Sequence, residues 1–434
     1  MTHPARSARP ARRARRAPRA LARSVAVAAA LAASALAQAP LPVAPPAVDP
    51  TGLPAGQLVE AVYVERWTPQ DVQERAAVAF GGYGAPLVEN AVDLWLLRFT
   101  TTRFDGAVAV VRARAFTPVD PPRGAAPLLV YGSGTTGVAD ACAPSREYER
   151  ATPLGYYREL LAPYAGRGIA TVFPDYLGFE DPDRPQAYFH ADSEAHVLLD
   201  AARAMNELYA RTGGLGALRA ETFFGGYSQG GHAAFAVADQ HRAYAPEVQV
   251  AGVMGFAATT DVEALLATAA YYAPFVLLAY RSIYGDAVDP SEVLAPRFVP
   301  TLEQDAGAFC VDRAQQVYPY DGAGTYTEAF HRALQAGDPG AAAPGFARAL
   351  TANATGLSGH GVPALVVQGG QDVIVLDRTQ ERFVAALCAA GSPVTYLNVP
   401  TARHRDTRPA GFGASLEWMW ALASGAPAPS TCAN

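Results

Sequence analysis

The stretch Thr222-Phe-Phe-Gly-Gly-Tyr-Ser-Gln-Gly-Gly231 decides the reading of this chain. A short apolar run of strand character, Thr222 to Gly226, passes directly through Gly226-Tyr-Ser-Gln-Gly230 into a helical pattern, His232 to Tyr244. Strand, sharp turn and helix together lift a serine hydroxyl above the edge of a sheet, and the flanking glycines are needed because a side chain there collides across the turn. A serine hydroxyl is a weak nucleophile, so its chemistry requires a histidine base and a carboxylate that orients the base. In this architecture the order is Ser, then Asp or Glu, then His, each in a loop after a later strand. The strand Ala364 to Gln368 is followed by Gly-Gly-Gln-Asp372, and the strand Val394 to Val399 by Pro-Thr-Ala-Arg-His404. His404 is the only histidine beyond Asp372. Ser228, Asp372 and His404 are therefore the expected catalytic set, with Asp377 the alternative carboxylate. His232 sits on the helix leading away from Ser228, His190 and His196 read as surface or helix-start residues, and His241, His331 and His360 have no constellation around them.

Working outward, short buried runs alternate with longer amphipathic ones. Strands are expected at 127–131, 168–173, 222–226, 248–252, 364–368 and 394–399, and helices at 154–164, 193–209, 232–244, 378–390 and 415–423. This alternation means a mostly parallel sheet with helices on both faces, an α/β fold. Ala91 to Thr100 and Ala107 to Phe116, separated by Thr-Thr-Arg-Phe-Asp-Gly, read as an antiparallel pair that opens the sheet. The rhythm breaks from about 261 to 355, which reads as an inserted helical cap. Its apolar stretch Tyr271 to Tyr280, with Tyr271, Tyr272, Phe275 and Tyr280, lines an acyl pocket or lid on one reading and packs into the core on the other.

An oxyanion needs preorganised backbone donors. One is expected from Gln229, just after the nucleophile, and the second from Gly132-Ser-Gly-Thr-Thr-Gly137, with Thr135 preferred and Gly134 second. The same loop is a formal G-x-G-x-x-G after a strand. The dinucleotide fingerprint wants an acid about 20 residues on, at the end of the next strand. Here that strand ends near Asp175, roughly twice as far, and Pro144 interrupts the segment that should be the phosphate-binding helix. No cofactor is expected.

Composition narrows the classes further. With 434 residues and 50% hydrophobic content the chain can build a full core. All 34 basic residues are Arg, so Lys-dependent chemistry, including a pyridoxal Schiff base, a Ser-Lys dyad and a Walker A loop, is excluded. Eight of these arginines precede the first acid, Asp49, and without them the formal charge moves from −6 to −14. An acidic body argues against nucleic-acid binding. The basic stretch leads into the apolar segment Ser24 to Ala37, read as a secretory signal over residues 1–39 with cleavage after Ala37 or Ala39, the alternative being an uncleaved anchor. A Pro-rich leader over 40–56 then precedes one domain over 57–434. Four cysteines in an exported chain allow two disulfides in three connectivities, and neither their spacing nor the histidines suit a metal site. Asn353-Ala-Thr355 matches a glycosylation signal.

Five segments taken together, Val130-Tyr-Gly-Ser-Gly-Thr-Thr136, Cys142-Ala-Pro-Ser145, Phe173-Pro-Asp-Tyr-Leu-Gly-Phe179, Gly225-Gly-Tyr-Ser-Gln-Gly-Gly231 and Gln368-Gly-Gly-Gln-Asp372, carry a resemblance. The chain resembles, from about residue 57 to its C-terminus, the secretory lipase family of α/β-hydrolases, the group that includes the fungal lipase A type. The resemblance implies the α/β-hydrolase fold, the triad Ser228, Asp372 and His404, and the disulfides Cys142–Cys310 and Cys388–Cys432. The chain departs from the family where some members place an acid in the oxyanion-side loop: it has Gly-Thr-Thr-Gly there and Asp140 a few residues on. The expected activity is hydrolysis of small-molecule or lipid carboxylic esters through an acyl-enzyme, with transient contact to a lipid interface and no obligate protein partner. The rival classes are a secreted serine peptidase with the same triad and a catalytically silent binding protein.

Overall fold

The computed structural model describes residues 52–121, 124–150, 153–181 and 183–432. The signal segment and most of the Pro-rich leader lie outside the described residues. The chain opens with an edge strand, Leu58–Trp67 (β1), and a helix, Pro69–Phe80 (α1), whose N-terminus is closed by a capping box between Thr68 and Asp71. Neither element is among those read from the sequence.

Next comes the expected antiparallel pair, Val92–Thr102 (β2) and Val108–Pro118 (β3). The alternation follows: Ala126–Gly132 (β4), Tyr157–Gly166 (α2), Ala170–Pro174 (β5), Ala191–Arg211 (α3), Leu218–Tyr227 (β6), Gln229–Tyr244 (α4) and Val250–Phe256 (β7). Between β7 and the next strand stand eight helices: Val262–Thr268 (α5), Ala273–Tyr284 (α6), Pro290–Val293 (α7), Leu302–Ala306 (α8), Val311–Val317 (α9), Gly322–Thr325 (α10), Glu328–Gln335 (α11) and Pro344–Ala352 (α12). They occupy the region read as a cap. Ala364–Gly369 (β8), Asp377–Ala389 (α13), Val394–Val399 (β9) and Thr407–Ala423 (α14) complete the chain.

The nine strands among the described residues form one sheet in the order β1-β2-β3-β5-β4-β6-β7-β8-β9. The β1–β2, β2–β3 and β3–β5 pairings are antiparallel and all others parallel. Alternate residues of the central strands divide between two cores. Leu129, Phe223, Met254 and Val367 face the side covered by α1, α2 and α14, where Phe80, Leu161, Phe412 and Trp418 pack; Val130, Phe224, Val253 and Val366 face α3, α4 and α13, with Leu198, Phe235 and Leu387. Burial on both faces accounts for the near-continuous apolar runs of these strands.

Parallel pairing sets the carboxyl ends of β4, β6, β7, β8 and β9 along one edge. Five loops therefore converge: those after Gly132, Tyr227, Phe256, Gly369 and Val399. The crevice beyond such strand ends is where open α/β sheets place their sites.

Candidate active site

Ser228 stands between the end of β6 and the start of α4 with φ +55° and ψ −113°. A non-glycine residue at positive φ is strained, and the surrounding packing fixes it. A Cβ on Gly226 would lie 2.1 Å from the Gly230 carbonyl oxygen, and one on Gly230 would lie 1.9 Å from that of Gly132. The two glycines of the motif thus let α4 press against the ends of β6 and β4. The Ser228 amide donates to the Phe256 carbonyl at 3.0 Å, and its carbonyl accepts from Gly231 and Thr259 at 2.9 and 3.0 Å.

His404, in the turn after β9, places Nε2 3.1 Å from Ser228 Oγ, and its Nδ1 lies 2.7 Å from Asp372 Oδ2. Facing a carboxylate, Nδ1 carries the N–H, which leaves Nε2 free to accept the serine proton. Asp372 is itself held by the amides of Ile374 and Val375, which donate to Oδ1 at 2.8 and 3.0 Å. The imidazole packs against the Tyr227 ring at 4.9 Å. Ser228, Asp372 and His404 are 4%, 5% and 9% exposed, so the three share a site largely shielded from bulk water. Asp377, the alternative carboxylate, faces elsewhere and accepts from Tyr396 Oη at 2.7 Å and Asn398 Nδ2 at 2.9 Å.

Gln229, the first residue of α4, carries the amide beside Ser228. In the loop after β4 the two sequence candidates part. The Gly134 amide already donates to Tyr157 Oη at 2.6 Å, whereas no such bond engages the Thr135 amide among the described residues. Three tyrosines brace this loop: Tyr157 on Gly134, Tyr176 Oη donating to the Ser133 carbonyl at 2.8 Å, and Tyr188 Oη 2.7 Å from Thr135 Oγ1. Burial pushes the Tyr157 hydroxyl up to about 12 and those of Tyr176 and Tyr188 well above their ordinary range. All three are therefore neutral hydroxyls at working pH. Tyr157 is in turn fixed by Glu147, whose carboxylate accepts the amides of Gly155, Tyr156 and Tyr157 at 2.7 to 3.0 Å.

Two of the narrower sequence segments meet behind this loop. Ser145 donates through its amide and hydroxyl to Asp175 at 2.8 and 2.6 Å, joining Cys-Ala-Pro-Ser to Pro-Asp-Tyr. Burial raises the Asp175 carboxyl to about 6. Asp140 is turned away and accepts the Glu180 amide at 2.9 Å. After the Gly132–Gly137 loop the described residues make only 3-10 turns until α2 begins at Tyr157, so no α-helix N-terminus follows these glycines directly among them.

The disulfides are Cys142–Cys310 and Cys388–Cys432. The first ties the segment after the oxyanion-side loop to the start of α9, beside a bond from the Val311 amide to the Thr136 carbonyl at 2.8 Å. Tyr271, Tyr272, Phe275 and Tyr280 are all buried, with Tyr271 accepting from Gln315 Nε2 and Tyr280 donating to the Phe189 carbonyl. Among the histidines set aside, His190 caps α3 but is buried, which lowers its pKa to about 4. His196 stacks on Tyr244 at 3.7 Å. His232 is fully buried and paired with Glu194 Oε2 at 2.6 Å. That pairing depends on α3 lying against α4, which sequence spacing does not report.

The model of the secretory lipase family matches residues 152–286. No curated protein sequence matches the chain. A solved structure of a putative hydrolase from Legionella pneumophila superposes with a TM-score of 0.70 at 18% identity, covering 84% of this chain and 98% of that one. The rice cell wall degrading esterase LipA from Xanthomonas oryzae, in a ligand-bound form, gives 0.67 at 18% identity, covering 86% and 97%. Candida antarctica lipase A gives 0.63 at 19% identity, covering 87% and 84%. The residues that match the secretory lipase model, 152–286, run from just before α2 through the serine turn to the end of α6, within an α/β-hydrolase fold.

Proposed function

We propose that the protein is a secreted serine hydrolase that cleaves carboxylic esters, of the lipase or carboxylesterase type. The observation that carries this reading is the continuous hydrogen-bonded chain from Ser228 Oγ through His404 to Asp372 at the head of the serine turn. Ser228 Oγ attacks the ester carbonyl while His404 Nε2 takes its proton. The oxyanion is met by the amides of Gln229 and Thr135. His404 returns the proton to the leaving alcohol, and Asp372 stabilises the imidazolium between the two transfers. Water then attacks the acyl-enzyme by the same route and releases the acid.

The family match and the esterase and lipase activities named for two of the structural neighbours support an ester as substrate. Two disulfides favour an oxidising compartment, in keeping with the signal read over residues 1–39. Transient contact with a lipid interface belongs to the same proposal. Tyr320 and Val373 are both exposed, and they are joined by a hydrogen bond from Tyr320 Oη to the Val373 carbonyl, one residue from Asp372.

The test is hydrolysis of p-nitrophenyl esters across acyl lengths by the mature protein and by Ser228→Ala. The substitution is expected to lower kcat by about 10⁴-fold or more. A preference for long chains identifies a lipase and for short chains a carboxylesterase. Cleavage of aminoacyl amides with no ester hydrolysis replaces this reading with a peptidase, and a variant as active as wild type removes Ser228 as nucleophile.

A further inference from the structure

One buried carboxylate, outside the Ser228–His404–Asp372 chain, reaches both sides of the proposed oxyanion site. Glu194, in the first turn of α3, accepts from Gln229 Nε2 at 2.8 Å and from the Phe189 amide at 3.1 Å through Oε1. Phe189 follows Tyr188 in a tight turn at φ +54°, and Tyr188 Oη is bonded to Thr135 Oγ1. The other oxygen, Oε2, faces His232 Nδ1 at 2.6 Å, and His232 Nε2 faces the Asn353 carbonyl at 2.8 Å. A carbonyl only accepts, so Nε2 carries an N–H. Glu194 and His232 are both buried, so bulk water does not compete for these bonds, and the Phe189 ring packs edge-on against His232 at 5.1 Å.

The amide of Gln229 belongs to the same peptide plane as the Ser228 carbonyl. That carbonyl is held by Gly231 and Thr259, and the His232 amide approaches it at 3.4 Å. The side chain of Gln229 fixes the other end of this unit, and its only bond runs to Glu194 among the described residues. Asn353 closes the circuit: it follows α12, the last cap helix, and its Oδ1 accepts the Ala191 amide at the start of α3. Resting on the acyl-transfer reading above, we infer that Glu194 and His232 are positioning residues that hold the Gln229 amide and the Tyr188–Thr135 pair at the oxyanion, keyed to the end of the cap through Asn353.

The experiment compares Gln229→Met, Glu194→Leu and Glu194→Gln with wild type and Ser228→Ala. Each is assayed for kcat and KM on a p-nitrophenyl ester, for the rate of inactivation by an alkyl p-nitrophenyl phosphonate, whose phosphoryl oxygen enters the oxyanion site as p-nitrophenolate leaves, and for thermal unfolding. Gln229→Met keeps the backbone amide and the side-chain volume but cuts the tether. It and Glu194→Leu are expected to lose about tenfold or more in kcat and in phosphonylation rate with KM within about twofold, since a misaligned donor fails mainly in the transition state. Glu194→Gln, which still accepts from Gln229 and can donate to His232 Nδ1, is expected to remain within about threefold of wild type. If Gln229→Met keeps wild-type kcat while Ser228→Ala is inactive, the positioning role falls and the acyl-transfer reading stands. If Ser228→Ala is active, the acyl-transfer reading itself falls. Should Glu194→Leu fail to fold, Gln229→Met decides alone.

Discussion

At the level of single residues, Asp372 shows how function and local architecture share one side chain. Oδ2 faces the imidazole, while Oδ1 accepts two amides of its own loop. Asp372→Asn keeps an oxygen for the loop but presents an amide to His404, favouring the wrong tautomer. The expected outcome is a fall in kcat of about 10⁴-fold at neutral pH with little change in unfolding temperature, measured by steady-state kinetics and thermal melts. The grouping of Ser228, His404 and Asp372 was legible in the sequence because chain order and a single downstream histidine constrain it. Glu194 and His232 were not, because the pair exists only once α3 and α4 lie side by side. Gly134 illustrates the same limit from the other direction. Nothing in Gly-Ser-Gly-Thr-Thr says that a tyrosine from α2 takes its amide.

At the level of elements, the parallel strands and their helices followed from alternation, while β1 and α1 did not. The middle of β1, Ala61 to Val64, is exposed on an edge strand with one neighbour, so burial imposes no clear period on it. α1 carries a capping box and the apolar spacing Val72, Ala76, Phe80. α14 begins eight residues earlier than expected, because Pro409, Gly411 and Gly413 obscure its first two turns. Gly411 is needed there: a Cβ would lie 2.9 Å from Phe256 and 3.0 Å from Val367. In α2, burial raises the Glu159 carboxyl to about 7, and one of its oxygens has no hydrogen-bond partner. A carboxyl whose folded pKa is raised contributes stability that is complete below about 4.5 and is lost as pH climbs through about 7. Wild type is therefore expected to lose stability between pH 5 and pH 8. Glu159→Gln is expected to flatten that decline by up to about 3 kcal/mol, read from urea unfolding at both pH values.

At the level of the whole molecule, the Cys142–Cys310 bridge closes 168 residues and Cys388–Cys432 closes 44. On loop-closure entropy these contribute about 5 and about 4 kcal/mol as upper figures. The longer one also ties the segment after β4 to the start of α9, a pairing that the family resemblance implied and that the four cysteines alone left open among three connectivities. The placement of Asn353 has a consequence for how the protein is made. Its side chain is wholly engaged, with Ala191, Tyr284 and Ala349, and leaves no room for a sugar, although Asn353-Ala-Thr355 is an acceptor signal. In a eukaryotic secretory host, oligosaccharide transferred to the nascent chain at this asparagine would forbid native packing, so yield there should fall well below that of a host without N-glycosylation. Thr355→Ala abolishes the acceptor signal and removes a buried hydroxyl that has no partner. Secreted yield from yeast, wild type against this variant, measures the effect, and recovery of active protein by the variant alone is the expected result.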